Sequence, residues 1–280
     1  MADRQDRIGI IAGGGQFPLL FINAARNAGR KIFVVAHKSE TSQEVADAAD
    51  QACWVKLGPL RKIIKFFKEH DVRETVFLGT ITKTQIFRDI LPDLKGLTLW
   101  NKIDVKQDDA ILRAVAGSLE EEGIIVREST LYLEHLLFPK GILTKKKPSK
   151  SQRRDIEFGW YNARAIGSLD IGQCVVVRDC SVMAVEAIEG TDETILRGGS
   201  LAKEKAVIVK LRKPDQDFRF DLPATGFGTI ETISKVNGAV LAVEAGQSLL
   251  FDKEKMIAAA DEAGIVVVGV EETEDGTLDY

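Results

Sequence analysis

An acid-rich stretch just ahead of two glycines is the part of this sequence best suited to chemistry. Residues 213–229 read K-P-D-Q-D-F-R-F-D-L-P-A-T-G-F-G-T. If the chain runs extended here, the alternation of side chains along a strand places Asp217, Arg219 and Asp221 on one face. Carboxylates hold hard cations such as Mg²⁺, which assist attack on a phosphate or pyrophosphate. The stretch therefore predicts metal-assisted phosphate chemistry, although solvated acids in a surface turn give the same pattern.

The glycines that follow these acids predict an anion-binding turn. Pro223 ends the expected strand, and Gly226 and Gly228 allow backbone conformations closed to other residues. Thr229 is then placed to cap a helix. Because the first N–H groups of a helix attract anions, we expect the segment from Thr225 to Thr229 to neutralise charge on a phosphate.

A second acid-rich turn follows an apolar strand. Glu189, Gly190, Thr191 and Asp192 form a loop that suits a metal ion or a sugar hydroxyl, and equally caps the next helix. The three histidines are scattered without a nucleophile motif nearby, so histidine-centred catalysis is not expected. Carboxylates are left to carry the chemistry.

Two nearly repeated strands each end in a glutamate. The sequences V-M-A-V-E-A and V-L-A-V-E-A place Glu186 and Glu244 at the same position of the repeat. Core requirements alone can repeat apolar residues, but they do not call for the same acid twice. Glu186 and Glu244 are therefore second-rank site candidates.

The first half of the sequence alternates regularly between strand-like and helix-like segments, which would position these residues. Strands are predicted at 8–12, 31–36, 53–57 and 75–79, and helices at 16–28, 44–49 and 60–70. This alternation predicts a Rossmann-like parallel sheet covered by helices.

Two loops of that sheet are candidate substrate sites. Gly13, Gly14, Gly15 and Gln16 lie between the first strand and the first helix, where such folds place a phosphate-binding turn. The dinucleotide fingerprint G-x-G-x-x-G is incomplete, so NAD binding is not favoured. Gly79-Thr80 follows another strand, and the carboxyl ends of parallel strands meet at one edge of the sheet. We expect both loops to contact substrate.

The second half predicts a second, mixed α/β domain. Closely spaced strands are expected at 174–178, 182–187, 206–211, 239–244 and 265–270, with helices after Thr229 and at 253–263. Between the halves, residues 139–155 lack apolar periodicity and are rich in lysine and arginine. The α/β chain is therefore predicted to comprise an N-terminal domain (1–138), a basic linker (139–155) and a C-terminal catalytic domain (156–280).

Composition excludes several classes of protein. The 280 residues carry a formal net charge of −4, so nucleic acid is not the expected partner. Cys53, Cys174 and Cys180 are few and odd in number, which fits free thiols in a reducing cytoplasm. No apolar run reaches spanning length and no signal peptide is evident, so any membrane association is expected to be peripheral. The basic linker either faces water or contacts anionic phosphates or lipid headgroups.

Five segments together resemble a known family. They read G-I-I-A-G-G-G-Q-F-P, Q-D-D-A-I-L-R-A-V-A, D-I-G-Q-C-V-V-V, V-E-A-I-E-G-T-D and the 213–229 stretch. The chain resembles, over nearly its whole length, the UDP-2,3-diacylglucosamine pyrophosphatases of the LpxI type from Gram-negative lipid A biosynthesis. The resemblance implies a two-domain cytoplasmic hydrolase that uses Mg²⁺ or another divalent cation. It also implies that UDP-2,3-diacylglucosamine is cleaved to UMP and 2,3-diacylglucosamine 1-phosphate (lipid X) at the cytoplasmic face of the inner membrane.

The resemblance also suggests roles for individual residues. Asp221 matches the aspartate regarded as essential in the family and is the expected catalytic residue. Candidate metal ligands are Asp217, Asp221, Glu189 and Asp192. Candidate substrate contacts are Gly13, Gly14, Gly15, Gln16, Gly79, Thr80, Thr191, Lys213, Gln216, Arg219, Thr225 and Gly226.

Two other functions fit the sequence less well. A regulatory protein that binds nucleotide sugars without hydrolysing them would also need the glycine turn. A nicotinamide-dependent oxidoreductase would have the same kind of first domain, but this chain lacks the complete G-x-G-x-x-G fingerprint of such enzymes. The sequence leaves the oligomeric state open.

Overall fold

The protein forms two compact units, each with its own sheet. The computed structural model describes residues 6–81, 108–214, 216–219 and 222–280. Unit 1 comprises the described residues of Met1–Glu134 and Asp217–Asp221, and unit 2 comprises those of His135–Gln216 and Leu222–Tyr280. The elements below are numbered among the described residues only.

Unit 1 is built on a parallel sheet of five strands in the order β3-β2-β1-β4-β5. The strands are β1 (Arg7–Ala12), β2 (Lys31–His37), β3 (Gln51–Val55), β4 (Glu74–Leu78) and β5 (Ile125–Val126). The helices are α1 (Phe17–Asn27), α2 (Gln43–Asp47), α3 (Leu60–Glu69) and α4 (Asp108–Glu120). This order confirms the Rossmann-like parallel fold, and its chain reversal between β1 and β4 is where such sheets bind ligands.

The apolar pattern of unit 1 explains why these elements form. Five of the seven residues of β2 are apolar and buried, as expected for a strand covered on both faces. On α3, Leu60, Ile63, Ile64 and Phe67 recur at helical spacing and face the core. Phe67 is fully buried there.

Unit 2 contains a mixed sheet of seven strands. Along it the order is β14-β13-β11-β9-β7-β8, and β6 also pairs with β13. The strands are β6 (Gly141–Ile142), β7 (Cys174–Arg178), β8 (Ser181–Val185), β9 (Val207–Lys210), β11 (Val240–Glu244), β13 (Val266–Glu272) and β14 (Leu278–Asp279). A separate parallel pair consists of β10 (Ala224–Thr225) and β12 (Leu249–Leu250).

Helices cover both faces of the larger sheet. They are α5 (Lys150–Ser168), α6 (Thr191–Ala202), α7 (Phe227–Lys235) and α8 (Lys253–Ala263). Val176 packs in a cluster with residues of α6, α7 and α8, whereas its neighbours Val175 and Val177 pack in a cluster with α5. This alternation follows the two-residue period of a strand, and it gives unit 2 three layers. No helix among the described residues is long and apolar enough to cross a membrane.

The predicted basic linker is not a separate linker in the structure. Residues 139–155 belong to unit 2, where they supply β6 and the start of α5. Ser149 and Gln152 form a capping box, and Ile156, Trp160 and Ala163 then bury one face of the helix. The prediction was wrong because the segment is rich in lysine and arginine. Its helix-start signal, S-x-x-Q at 149–152, precedes the apolar residues of the helix, which begin only at Ile156.

Candidate functional site

The two glycine loops predicted in unit 1 meet at the carboxyl edge of its sheet. The Gly13 N–H donates to Leu78 O at 2.8 Å, and the Gly14 N–H donates to Thr80 O at 2.8 Å. The Thr80 N–H donates back to Gly14 O at 3.1 Å. The loops after β1 and β4 are therefore joined by a short backbone bridge at the chain reversal of the sheet.

This bridge explains two of the glycines. A Cβ atom on Gly13 would lie 2.3 Å from Thr80 O, and one on Gly79 would lie 2.3 Å from Gly14 O. Gly79 also has a φ of +87°, which disfavours any side chain. Gly15 differs, because a Cβ there would meet open space and only its φ of +84° favours glycine. Gln16, which follows Gly15 and precedes α1, is exposed.

Asp217 and Arg219 form an ion-paired turn in unit 1, not the extended strand that we predicted. The Asp217 carboxylate accepts hydrogen bonds from the Arg219 backbone N–H at 3.0 Å and from its guanidinium Nη2 at 2.8 Å. Arg219 Nη1 also donates to Glu120 Oε1 of α4 at 2.9 Å, and Arg113 Nη1 lies 3.6 Å from Asp217 Oδ2. The turn forms because an aspartate can bind the amide two residues ahead, an arrangement that competes with a strand.

These contacts decide the charge of Asp217. Partial burial alone would raise the pKa of its carboxyl group, but hydrogen bonds from Arg219 and the charge of Arg113 outweigh burial and lower the pKa. Asp217 is therefore ionised and already neutralised by two arginines. A metal ion would have to compete with them for its oxygens.

In unit 2, the predicted phosphate contacts Lys213 and Gln216 lie in the loop after β9. Lys213 Nζ donates to Asp170 Oδ1 at 2.6 Å, and the Lys213 backbone N–H donates to Gln216 Oε1 at 3.2 Å. The buried Gln216 also accepts, through its backbone oxygen, a bond from Arg212 Nη1 at 2.5 Å. The loop is thus held by bonds within itself and by the bond from Lys213 to Asp170.

Thr191 joins the acid-rich turn to a buried carboxylate. It is the first residue of α6, and its hydroxyl donates to Glu186 Oε1 at 3.2 Å. Glu186 is 7% exposed, and burial raises the pKa of its carboxyl group against the opposing charge of Lys210. The other oxygen, Oε2, is buried without a hydrogen-bond partner among the described residues. The second-rank candidate Glu186 is therefore a buried acid with a raised pKa and one oxygen without a hydrogen bond among the described residues.

The two predicted metal ligands of this turn have other structural roles. Glu189 pairs with Arg197 of α6, and hydrogen bonds from its own backbone amide and from Arg197 lower the pKa of its carboxyl group. Asp192 lies in the first turn of α6, where a negative charge stabilises a helix. Neither side chain caps α6, whose N-cap residue is Gly190 without a side-chain hydrogen bond, so the structure does not bear out the capping alternative either.

The predicted anion-binding turn leads into α7. Gly226 is the N-cap residue and α7 begins at Phe227, so Thr229 lies inside the first turn and is not the cap. Thr225 is buried, and its hydroxyl donates to Leu249 O at 3.3 Å. No acidic side chain lies in the first turn of α7, and a Cβ on Gly228 would meet open space. The start of α7 is therefore open to an anion.

A buried lysine that the sequence analysis did not identify forms a hydrogen bond with the strand just before this turn. Lys210 is the last residue of β9 and is 5% exposed. Its Nζ donates to Ala224 O at 2.8 Å, two residues before the N-cap of α7. A lysine that ends the buried apolar run V-I-V-K was the available signal, because a charge is rarely buried without a reason.

The expected catalytic residue, Asp221, lies outside the described residues. Within the ranges that are described, no three His, Cys, Asp or Glu side chains are grouped to hold a metal ion. Asp217 belongs to unit 1, whereas Glu189 and Asp192 belong to unit 2. The predicted metal shell and the role of Asp221 thus stay predictions.

Comparison with known proteins decides the family. Residues 7–136 match the LpxI N-terminal domain family, and residues 139–268 match the LpxI C-terminal domain family. The chain belongs to the LpxI family. The similar protein from Caulobacter vibrioides named "UDP-2,3-diacylglucosamine pyrophosphatase LpxI" is 34% identical over 281 residues, which cover 96% of this chain and 99% of that protein. The LpxI boundary at 136–139 falls close to the division between the two units.

Solved structures are much less similar to this LpxI family member. The biotin carboxylase domain of Hydrogenobacter thermophilus 2-oxoglutarate carboxylase is 12% identical, with a TM-score of 0.28 over 98% of this chain and 62% of that one. Leucoanthocyanidin reductase from Vitis vinifera is 13% identical, with a TM-score of 0.28 over 53% of this chain and 41% of that one. At these TM-scores neither carries an argument about function.

Proposed function

We propose that this chain hydrolyses the pyrophosphate bond of UDP-2,3-diacylglucosamine to give UMP and 2,3-diacylglucosamine 1-phosphate, lipid X, as a step of lipid A biosynthesis. The observation that carries the proposal is the end-to-end match to a relative of that name, which spans both units. The open start of α7 and the bridged loops of unit 1 support it, because both present backbone groups where a phosphate or nucleotide can bind.

In the proposed reaction, water attacks one phosphorus and the bridging P–O bond breaks. Asp221 accepts the proton of the attacking water, and the backbone N–H groups at the start of α7 stabilise charge on the phosphate oxygens. Lys213 adds positive charge within unit 2. These roles need preorganised groups, and the loop around Lys213 is held by the hydrogen bonds that Lys213 donates to Asp170 and Gln216.

Divalent metal dependence is a separate part of the proposal. A bound Mg²⁺ would supply positive charge to the phosphates and activate water. The described carboxylates do not favour it, since Asp217 and Glu189 are already paired with arginines. The roles proposed above are those of the chain's own residues.

The test is UMP release from dispersed UDP-2,3-diacylglucosamine by the purified protein, with Mg²⁺ or with EDTA. We expect Asp221→Asn to lose on the order of 10² to 10⁴ in turnover, the range for a positioned acid–base group. Asp215→Asn, in the same acid-rich stretch, is the matched control and should retain activity. Near-full activity in Asp221→Asn would remove that residue from the mechanism.

A wild-type protein that releases no UMP would contradict the proposal as a whole. Saturable binding of UDP-2,3-diacylglucosamine without product would then favour a nucleotide-sugar-binding regulatory protein. Equal rates in Mg²⁺ and EDTA would contradict metal dependence alone.

We further propose that the protein acts at the cytoplasmic face of the inner membrane and contacts anionic headgroups there. Lys147, Lys150 and Arg154 are exposed around the start of α5 and could bind such lipids. Sedimentation with anionic vesicles should fall on replacing Lys147 and Lys150 with glutamate, and should weaken in high salt. Binding unaffected by both changes would contradict the contact.

A further inference from the structure

Lys210 is a buried ammonium group with too few partners. It is 5% exposed, and its Nζ makes a single hydrogen bond among the described residues, to Ala224 O. An ammonium has three N–H donors, so two remain for other acceptors. Burying a charge with unsatisfied donors is costly. A group placed in this way needs an acceptor that the described chain does not provide.

The nearest candidate counter-charge does not satisfy it. Glu186 interacts electrostatically with Lys210, but the two form no ion pair among the described residues. The Glu186 carboxylate instead accepts a bond from the Thr191 hydroxyl. Cys174, the strand partner of Lys210, is a buried thiol whose pKa is raised by burial, so it stays neutral and offers no negative charge.

The position of Lys210 points to an anion. Its bond to Ala224 O fixes the strand that leads through Thr225 into the N-cap Gly226. The first N–H groups of α7 have no intrahelical partner, and the helix dipole is positive at this end and favours negative charge. An oxyanion there would satisfy donors of the helix and of the lysine together.

We propose that Lys210 is a phosphate-binding residue of the site at the start of α7, and that its ammonium group hydrogen-bonds an oxygen of the substrate's pyrophosphate. The proposal rests on the proposed function for the identity of the substrate. It does not need that function for phosphate binding itself, which can be measured with inorganic pyrophosphate.

The experiment compares wild type, Lys210→Met, Lys210→Arg and, as a control on the exposed end of α7, Lys235→Met. Binding of inorganic pyrophosphate and of UMP is measured by calorimetry on the full chain, together with the melting temperature of the ligand-free proteins. We expect Lys210→Met to weaken pyrophosphate binding about tenfold to a hundredfold, as for loss of a charge-assisted hydrogen bond. Lys210→Arg keeps the charge and should recover part of the affinity.

Stability of the ligand-free protein separates binding from a structural role. Methionine fits the volume of lysine without its charge, so Lys210→Met should melt at or above the wild-type temperature. A lysine that serves only to anchor β10 would instead lower the melting temperature and leave the affinity of the folded protein unchanged. That result, or wild-type affinity in Lys210→Met, would overturn the proposal.

Activity distinguishes failure of this proposal from failure of the proposed function. If wild type hydrolyses the substrate and Lys210→Met does so with unchanged KM and kcat, the inference fails alone. If wild type binds pyrophosphate through Lys210 but releases no UMP, the binding site stands and the proposed reaction falls. A wild-type protein that binds no pyrophosphate overturns the role of Lys210.

Discussion

Single residues of unit 2 show how burial sets charge. Glu186 is buried, and the backbone at Gly172 packs closely against it, since a Cβ on Gly172 would lie 2.0 Å from Glu186 O. Its raised pKa means that the folded state binds a proton more tightly than the unfolded state. The acid is therefore a source of instability at neutral pH.

This raised pKa gives a testable pH dependence. The contribution of Glu186 to the free energy of unfolding should be fully present below the unfolded pKa of glutamate and should be lost as pH rises through the folded pKa of Glu186. Glu186→Gln removes the titration, so we expect a higher melting temperature at pH 7 to 8, by about 2–4 °C for each kcal/mol gained.

Thermal melts from pH 4 to pH 8 check this prediction. Glu231→Gln, an exposed acid in the middle of α7, is the control and should follow the wild-type curve. A Glu186→Gln protein that melts lower than wild type at neutral pH would show that the ionised carboxylate is stabilising.

Among the elements, the bridge between the loops after β1 and β4 depends on the absence of a side chain at Gly13. Gly13→Ala places a Cβ 2.3 Å from a backbone oxygen, and backbone can yield only by moving the whole loop. We expect a loss of about 1–3 kcal/mol, as for an overpacked position.

Urea unfolding measures this loss. Gly117→Ala on α4 meets nothing within 4 Å and should be neutral or stabilising by up to about 1 kcal/mol. Equal stabilities of the two variants would mean that the loops are free to separate.

Regular elements could be read from the sequence because their signals are local. The helix at 253–263 and the strand at 174–178 were predicted with their observed bounds, since apolar spacing and flanking glycines mark them. The turn at Asp217 was not predicted, because the same local residues suit an extended strand, and the arginine and glutamate residues of α4 that favour the turn lie far away in sequence. The role of Lys210 likewise appears only when the strands are assembled.

The candidate site could be predicted in part. The pairing of Gly13–Gln16 with Gly79–Thr80 followed from the rule that parallel strands end at one edge, and the structure brings the two loops together. The burial of Glu186 depends on tertiary packing, which sequence periodicity does not encode. Asp221 was recognised only through family resemblance and remains a prediction.

The two units have separate hydrophobic cores. The cluster around Phe67 contains residues of unit 1, and the clusters around Val176 and Val177 contain residues of unit 2. Ile10 in β1 and Ile208 in β9 are both fully buried, which makes them a matched pair.

Native-state hydrogen exchange can test whether each core unfolds on its own. Ile10→Val should lower the opening free energy of unit 1 amides by about 0.5–1.5 kcal/mol and leave unit 2 unchanged. Ile208→Val should do the reverse. Loss of protection across the whole chain in either variant would show a single cooperative unit.

The return of residues 217–219 to unit 1 has a consequence for synthesis of the protein. A ribosome releases the sheet strands of unit 1 early, but Arg219, which binds Asp217 and Glu120, emerges only after β7, β8 and β9 of the second unit. During synthesis, Glu120 on α4 therefore lacks its bond from Arg219 until that residue has emerged. A gene fragment cut after Glu134 would encode a first unit that never gains this bond.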